Sequence, residues 1–169
     1  MPGSPTDGEG AASVAIAANE YLWFVDLALG QMTAIVEELG DELVNRRPPF
    51  RDANSAYAIV THCLGVMEYW GGATVAERPV QRDRAAEFTA TGDVAGLLRR
   101  TEHARRRLRE DMVGFRAAAP PVSVRPDPDD PAPYHETKGA VLVHVLEELF
   151  QHLGQMEITR DALVASRRR

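Results

Sequence analysis

Apolar residues along the chain recur at spacings of three and four, which is the period of an amphipathic α-helix. Signals for strands are weak, so the pattern predicts an all-α fold. The first helix is predicted from about Ala11 to Val44, because its apolar positions repeat without a break and Pro48 and Pro49 then stop it. Those positions are Leu22, Val25, Leu29, Met32, Val36, Leu39 and Leu43.

The second helix is predicted to begin after Asn54 or Ser55, since either side chain can accept hydrogen bonds from the free amides of a first turn. Gly71 and Gly72 are expected to weaken or end this helix. Its apolar face is formed by Ile59, Cys63, Val66 and Trp70.

The third helix is predicted to begin after Thr91 or Asp93, which can cap it in the same way. Its arginines fall outside the stripe that is expected to be buried. That stripe consists of Val94, Leu97, Thr101, Ala104, Leu108, Met112 and Phe115.

A proline-rich stretch follows from Ala117 to Glu136 and holds six of the eleven prolines, which excludes a regular helix there. We expect a long crossing loop. Thr137 can cap a fourth helix that runs to about Ser166. Its core positions are Leu142, Leu146, Leu149, Leu153 and Met156. Four helices with one long connection predict a four-helix bundle whose core can hold a site.

The length of 169 residues, with 44% hydrophobic residues, suits one domain and is too short for two ordinary ones. We expect a single bundle over residues 11–166, with a disordered N-terminus at 1–10 and a basic tail at 167–169. No apolar run reaches the roughly 18 residues of a membrane span, and the first ten residues do not resemble a secretory signal, which predicts a cytoplasmic protein. Cys63 is the only cysteine and is interpreted as a small core residue.

The formal net charge of −6 argues against a nucleic-acid partner, because phosphate binding depends on clustered lysines and arginines. Arginines do cluster at positions 105–107. Acidic neighbours neutralise this cluster, so a solvated helix face is predicted. Those neighbours are Glu102, Glu110 and Asp111.

Three polar residues interrupt the predicted apolar faces. His152 lies inside the apolar arc of the fourth helix, Glu148 lies one turn earlier at its rim, and His62 lies on the stripe of the second helix. A buried carboxylate is costly unless it is paired or binds a metal. Two histidines and one glutamate form a ligand set that leaves a zinc position open for water or substrate. The alternative is that both histidines are satisfied core residues and that Glu148 pairs with one of them or with a buried arginine.

Two further residues are candidates for substrate binding. His144, one turn before Glu148, is a substitute ligand, a substrate contact or an ordinary surface residue. Arg160 falls in the middle of the apolar arc, where it either anchors a carboxylated ligand or forms an internal salt bridge, with Asp26 or Glu68 as possible partners. The remaining histidines are expected on the surface and in a loop, at His103 and His135.

The segment from His144 to Arg160, HVLEELFQHLGQMEITR, resembles the last-helix motif of the DinB-like superfamily. The stretch from Asn54 to Trp70, which includes His62, looks like the second helix of that family. The resemblance covers nearly the whole chain after residue 15, and it implies a four-helix bundle that binds a metal.

Many members of the superfamily use three histidines, whereas the middle position here is Glu148, as in mycothiol-dependent maleylpyruvate isomerases and related thiol transferases. The resemblance implies that His62, Glu148 and His152 bind a divalent metal, zinc. It further implies that the metal activates a low-molecular-weight thiol, mycothiol, for attack on a small electrophile. The additional C-terminal domain of the isomerases has no counterpart in this sequence, which favours S-transfer over ring isomerisation.

Two classes of function remain open. One is a zinc-dependent thiol S-transferase that conjugates an electrophile for detoxification, and the other is a non-catalytic metal- or ligand-binding bundle induced by stress. A metal position open to a thiol distinguishes them, because a metal whose positions are all filled by protein, for example by His144 as a fourth ligand, cannot bind a thiol. A homodimer is expected as well, since dimers are frequent in the superfamily.

Overall fold

The computed structural model describes residues 15–122 and 136–167. The predicted disordered segment at 1–10, the end of the basic tail, most of the proline-rich loop and His135 lie outside the described residues. Within these two ranges all regular structure is helical. The predicted all-α class is therefore confirmed.

In the part of the chain that the structure describes, five α-helices follow one another, four of them long. They are α1 (Ala18–Leu43), α2 (Ala56–Val66), α3 (Arg84–Glu87), α4 (Val94–Asp111) and α5 (Lys138–Arg167). A π-helical segment, Met67–Val75, continues α2 directly. The short helix α3 was not predicted from the sequence.

The first helix begins later than predicted. Residues 15–17 are not helical, and the backbone amide of Ala17 donates a hydrogen bond of 2.7 Å to Glu20, which sets the start at Ala18. Apolar spacing alone could not show this boundary, because the small apolar residues before it extend the pattern. Near its other end α1 is kinked at Gly40, whose φ of 60° and ψ of 179° are accessible to glycine almost alone.

The second helix is capped by Ser55 rather than Asn54, since the Ser55 hydroxyl accepts a hydrogen bond of 3.2 Å from the Ala58 amide. The expectation that Gly71 and Gly72 weaken or end this helix is corrected, because the π-helical segment runs through both. A β-carbon at Gly71 would lie 2.7 Å from a Leu108 methyl group, and one at Gly72 would lie 2.3 Å from the Arg78 guanidinium. The two glycines thus allow close packing.

Helix α4 corresponds to the predicted third helix. It is capped by Asp93 rather than Thr91, with a hydrogen bond of 2.6 Å from the Gly96 amide. Its predicted stripe lies against the core, although Val94 and Phe115 are only partly buried. The arginines of α4 lie outside the stripe, as expected. Four of them, Arg105, Arg106, Arg107 and Arg109, pair with Glu102, Glu110 and Asp26.

The last helix begins where Thr137 accepts a hydrogen bond of 3.1 Å from the Ala140 amide, and it ends one residue beyond the predicted Ser166. Its predicted leucines face the core, with Leu146 partly buried. Cys63 of α2 is fully buried, as predicted for a small core residue.

The helices pack so that each of α4 and α5 contacts α1, α2 and the π-helical segment. In the described residues α4 and α5 do not pack against each other, so they lie on opposite sides of the bundle. In the connection that follows α4, the carbonyls of Ala117 and Ala119 accept hydrogen bonds of 2.9 and 2.8 Å from the amides of Gly139 and Lys138 at the start of α5. The long crossing loop stays a prediction, because residues 123–135 lie outside the described ranges. The arrangement places one face of α2 directly against α5.

Among the described residues, none of the helices combines the length and the apolar character that a membrane crossing requires.

Candidate metal centre

The three residues singled out in the sequence meet at the interface of α2 and α5. His62 Nε2 lies 3.4 Å from Glu148 Oε2, and His152 Nε2 lies 3.2 Å from the same oxygen. One possible ligand atom from each of the three residues falls within 4.8 Å of the others. The i, i+4 spacing places Glu148 and His152 on one face of α5, and the packing of α2 brings His62 to them.

Residues that were not predicted from the sequence contact Nδ1 and the ring face of His62. Its Nδ1 lies 2.8 Å from Glu87 Oε2, and Arg82 donates to both oxygens of Glu87 at 2.7 and 3.0 Å. Phe88 stacks on the imidazole with the ring centroids 4.6 Å apart. With Nδ1 donating its proton to the carboxylate, Nε2 is directed toward Glu148.

His152 has a similar arrangement. Its Nδ1 lies 2.9 Å from Gln155 Oε1 one turn further along α5, which turns Nε2 toward Glu148. Hydrogen bonds from His152 and then His62 hold the pKa of Glu148 well below its ordinary value. The hydrogen bond to Glu148 also raises the pKa of His152, against the opposing effect of burial.

The donor set fits a divalent cation. A tetrahedral zinc site with bonds of about 2.0 Å has its ligand atoms roughly 3.3 Å apart, close to the two distances observed from Glu148 Oε2. Both imidazoles already have their second nitrogen hydrogen-bonded to an oxygen acceptor, which is the usual arrangement around metal-binding histidines. Three protein ligands would leave a fourth position open.

The centre is buried at His62 and partly exposed at its two residues on α5. The side chain of His62 is 3% exposed, whereas those of His152 and Glu148 are 17% and 23% exposed. A small molecule would therefore approach past α5.

His144 lies beside this opening. Its ring meets Trp70 edge-on with the centroids 5.1 Å apart, and its Nε2 lies 3.7 Å from Glu148 Oε1, the oxygen that faces away from the other histidines. His144 is not one of the three residues whose ligand atoms converge. Its role as a substrate contact stays a prediction.

Arg160 lies apart from the centre. It follows His152 by eight residues, which is about 12 Å along a helix axis. Its guanidinium lies 2.8 Å from Asp161 and 3.9 Å from Glu38, and the side chain is 28% exposed. Its role as an anchor for a carboxylate stays a prediction.

The two partners expected for an internal salt bridge of Arg160 are wrong. Asp26 pairs with Arg105 and Arg109, because α4 packs against that side of α1. Glu68 pairs with Arg78 at 2.7 Å in the connection that follows the π-helical segment. Helical periodicity shows which face a residue occupies but does not identify the neighbouring helix.

Neither Glu87 nor Arg82 had a signal in the sequence. Glu87 and His62 are 25 residues apart, and no recurring spacing links them. Helix α3, which presents Glu87, is a single turn and is too short to show a hydrophobic period.

Fold and site together define an all-helical bundle with two histidines and a glutamate arranged as a candidate metal centre. The family model for mycothiol S-transferases matches residues 22–165, and the chain belongs to that family. This membership agrees with the resemblance to the DinB-like superfamily and implies a transferase. No curated protein and no solved structure matches the chain.

Proposed function

We propose that the protein is a zinc-dependent S-transferase that joins a low-molecular-weight thiol, mycothiol, to an electrophilic small molecule. The metal ligands are His62, Glu148 and His152. The observation that best supports this function is the convergence of these three residues in a chain that belongs to the mycothiol S-transferase family.

A divalent cation held by these residues would favour the thiolate form of a thiol, which is the reactive nucleophile. His62 and His152 present Nε2, and Glu148 contributes one carboxylate oxygen. Glu87 and Gln155 hold the opposite ring nitrogens and so keep both imidazoles oriented. The partly exposed side of α5 admits the thiol and the electrophile. The S–H bond would break and its proton would pass to solvent. As the sulfur–electrophile bond forms, the electrophile would lose its leaving group with the bonding electron pair or, in an addition, that pair would take up a proton from solvent.

We further propose His144 as a contact for the substrate. Its ring lies against Trp70 next to the exposed part of Glu148, on the side from which a substrate enters. The cytoplasmic setting and the homodimer stay predictions.

The decisive experiment measures metal content and thiol conjugation in protein purified without added metal. We expect zinc in the wild-type protein and thioether formation when mycothiol and a reactive electrophile are supplied. His152→Ala should lower zinc to background and abolish conjugation. Circular dichroism should still show a helical protein, because the core consists mainly of leucines and other apolar residues.

His103→Ala serves as the matched control, since His103 is an exposed histidine on α4. It should keep its zinc and its activity. Wild-type zinc in the His152→Ala protein would contradict the ligand assignment. Bound zinc without conjugation of mycothiol or any other thiol tested would favour the non-catalytic metal-binding alternative.

A further inference from the structure

The ion pair that contacts His62 is more buried than the other two residues of the candidate centre, Glu148 and His152. The side chains of Glu87 and Arg82 are 8% and 14% exposed. Glu87 Oε1 accepts from Arg82, whereas Oε2 accepts from both Arg82 and His62. The carboxylate thus connects a fixed guanidinium to the ring of a candidate ligand.

Gly65 makes room for this carboxylate. It lies on α2 close to His62, and a β-carbon added there would lie 2.0 Å from Glu87 Oε1 and 2.6 Å from its carboxyl carbon. Any larger residue would therefore push the carboxylate out of its present place. Glycine is otherwise unfavourable within a helix, so its presence calls for a packing reason.

A cleft of about 630 Å³ lies on the far side of the pair, and both Glu87 and Arg82 line it. The same cleft is lined by Glu68, which also pairs with an arginine, Arg78. Among the described residues, Glu68 pairs with Arg78 and not with a histidine of the centre. The two carboxylates differ in the contact with His62 and in burial, since the side chain of Glu68 is 38% exposed and that of Glu87 is 8% exposed.

We propose that Glu87 is a positioning residue for the metal centre. Arg82 holds its carboxylate, and Gly65 leaves the space that the carboxylate occupies. By accepting the Nδ1 proton of His62, Glu87 fixes the tautomer and the ring orientation, so that Nε2 faces Glu148 and is available to a metal. This inference rests on the proposed metal centre but does not depend on which reaction occurs there.

The first test measures affinity for Zn²⁺ by competition with a chromophoric chelator. Glu87→Gln retains a hydrogen-bond acceptor of the same size but loses the negative charge, and it should weaken zinc binding about 10- to 100-fold. Glu68→Gln, the matched control in the same cleft, should leave the affinity within about twofold of wild type, because it does not touch a ligand.

A second readout is the visible absorption spectrum of the Co²⁺-loaded protein, which reports the geometry of the ligands. Glu87→Gln should shift or broaden these bands, and Glu68→Gln should not. An ion pair that only stabilises the fold would change the unfolding midpoint of both variants and leave the spectrum unaltered.

The third variant, Gly65→Ala, displaces the carboxylate without changing its chemistry. It should weaken zinc binding by a similar factor, and the combined Gly65→Ala, Glu87→Gln protein should lose far less than the product of the two single effects. This variant also covers the case in which Glu87→Gln fails to fold.

The outcomes separate the two proposals. If the wild-type protein binds neither Zn²⁺ nor Co²⁺, the metal centre itself is wrong. If it binds both and the Glu87 and Gly65 variants match it in affinity and spectrum, only the positioning role is overturned. If binding follows the expected pattern and no thiol is conjugated, the proposed reaction fails and the positioning role stands.

Discussion

Glu148 connects the two histidines of the candidate centre, because one of its oxygens faces both His62 and His152. Its charge also distinguishes this centre from a set of three histidines. Two neutral imidazoles and one carboxylate leave a divalent cation with one net positive charge, whereas three imidazoles leave two. A larger charge binds a thiolate more strongly and makes it less nucleophilic.

Glu148→His is therefore expected to keep zinc and to lower turnover at saturating thiol, while Glu148→Ala should lose much of both. Elemental analysis and steady-state kinetics measure the two quantities. Glu157→Ala is the control, because that carboxylate lies on the same helix and is exposed. Full zinc and full transferase activity in Glu148→Ala would remove the glutamate from the site.

Arg160 shows how position and partners decide the role of a charged residue. Its contacts with Asp161 and Glu38, and its distance from His152 along α5, favour the salt-bridge alternative over an anchor for substrate. We expect Arg160→Met to cost less than about 1 kcal/mol of stability, since the pair is partly exposed. Zinc content and the Michaelis constant for the thiol should not change. A raised Michaelis constant with unchanged zinc would instead support the anchor.

At the scale of the elements, α2 and its π-helical continuation bring one candidate ligand and one aromatic side chain to α5. His62 reaches Glu148 from α2, and Trp70 reaches His144 from the π-helical segment. Such segments are frequent at functional sites. The wider turn changes which residues share a face, so the regular α-helical spacing used for Trp70 does not hold beyond Val66.

The kink of α1 gives a prediction of its own at this scale. Gly40 has a backbone conformation that other residues avoid, and a β-carbon there would meet no atom within 4 Å. Gly40→Ala should therefore destabilise the protein through the backbone alone, by about 1–3 kcal/mol.

The control is Gly30→Ala in the same helix, where a β-carbon also meets nothing but the backbone is helical. It should be neutral or stabilising by up to about 1 kcal/mol, since alanine favours the helix. Urea denaturation measures both. Equal effects of the two substitutions would show that the kink places no special demand on Gly40.

Across the whole molecule, Arg78 joins parts that are far apart in sequence. It donates to Glu68 in the π-helical segment and, through two hydrogen bonds, to Asp111 at the end of α4. The hydrogen bond from Arg78 lowers the pKa of Glu68 from its ordinary value of 4.5. The ion pair thus stabilises the folded state when Glu68 is charged.

Because the folded pKa is depressed, this stabilisation is fully present above about pH 4.5 and is lost as the pH falls through the folded pKa. The unfolding midpoint of Glu68→Gln should therefore lie below that of wild type near neutral pH, and the difference should shrink in acid. Thermal unfolding at a series of pH values measures it, with the exposed Glu37→Gln as control. A difference that stays constant with pH would contradict this role.

The sequence by itself determined the four long helices, most of their caps and the three residues of the candidate centre. These follow from local rules, since the apolar period, Ser55, Asp93 and the spacing of Glu148 and His152 act within a few turns of one helix. The pattern also showed that His62 faces inward, although it could not say what His62 meets there.

Only the tertiary structure decided the contacts between distant segments. It placed Glu87 and Arg82 behind His62, gave Arg160 the partner Glu38 in place of Asp26 or Glu68, and continued α2 through its glycines. The physical reason is that a helix period defines a buried face but not which other helix covers it. Partners across helices depend on the packing of the whole chain, and no local spacing encodes that.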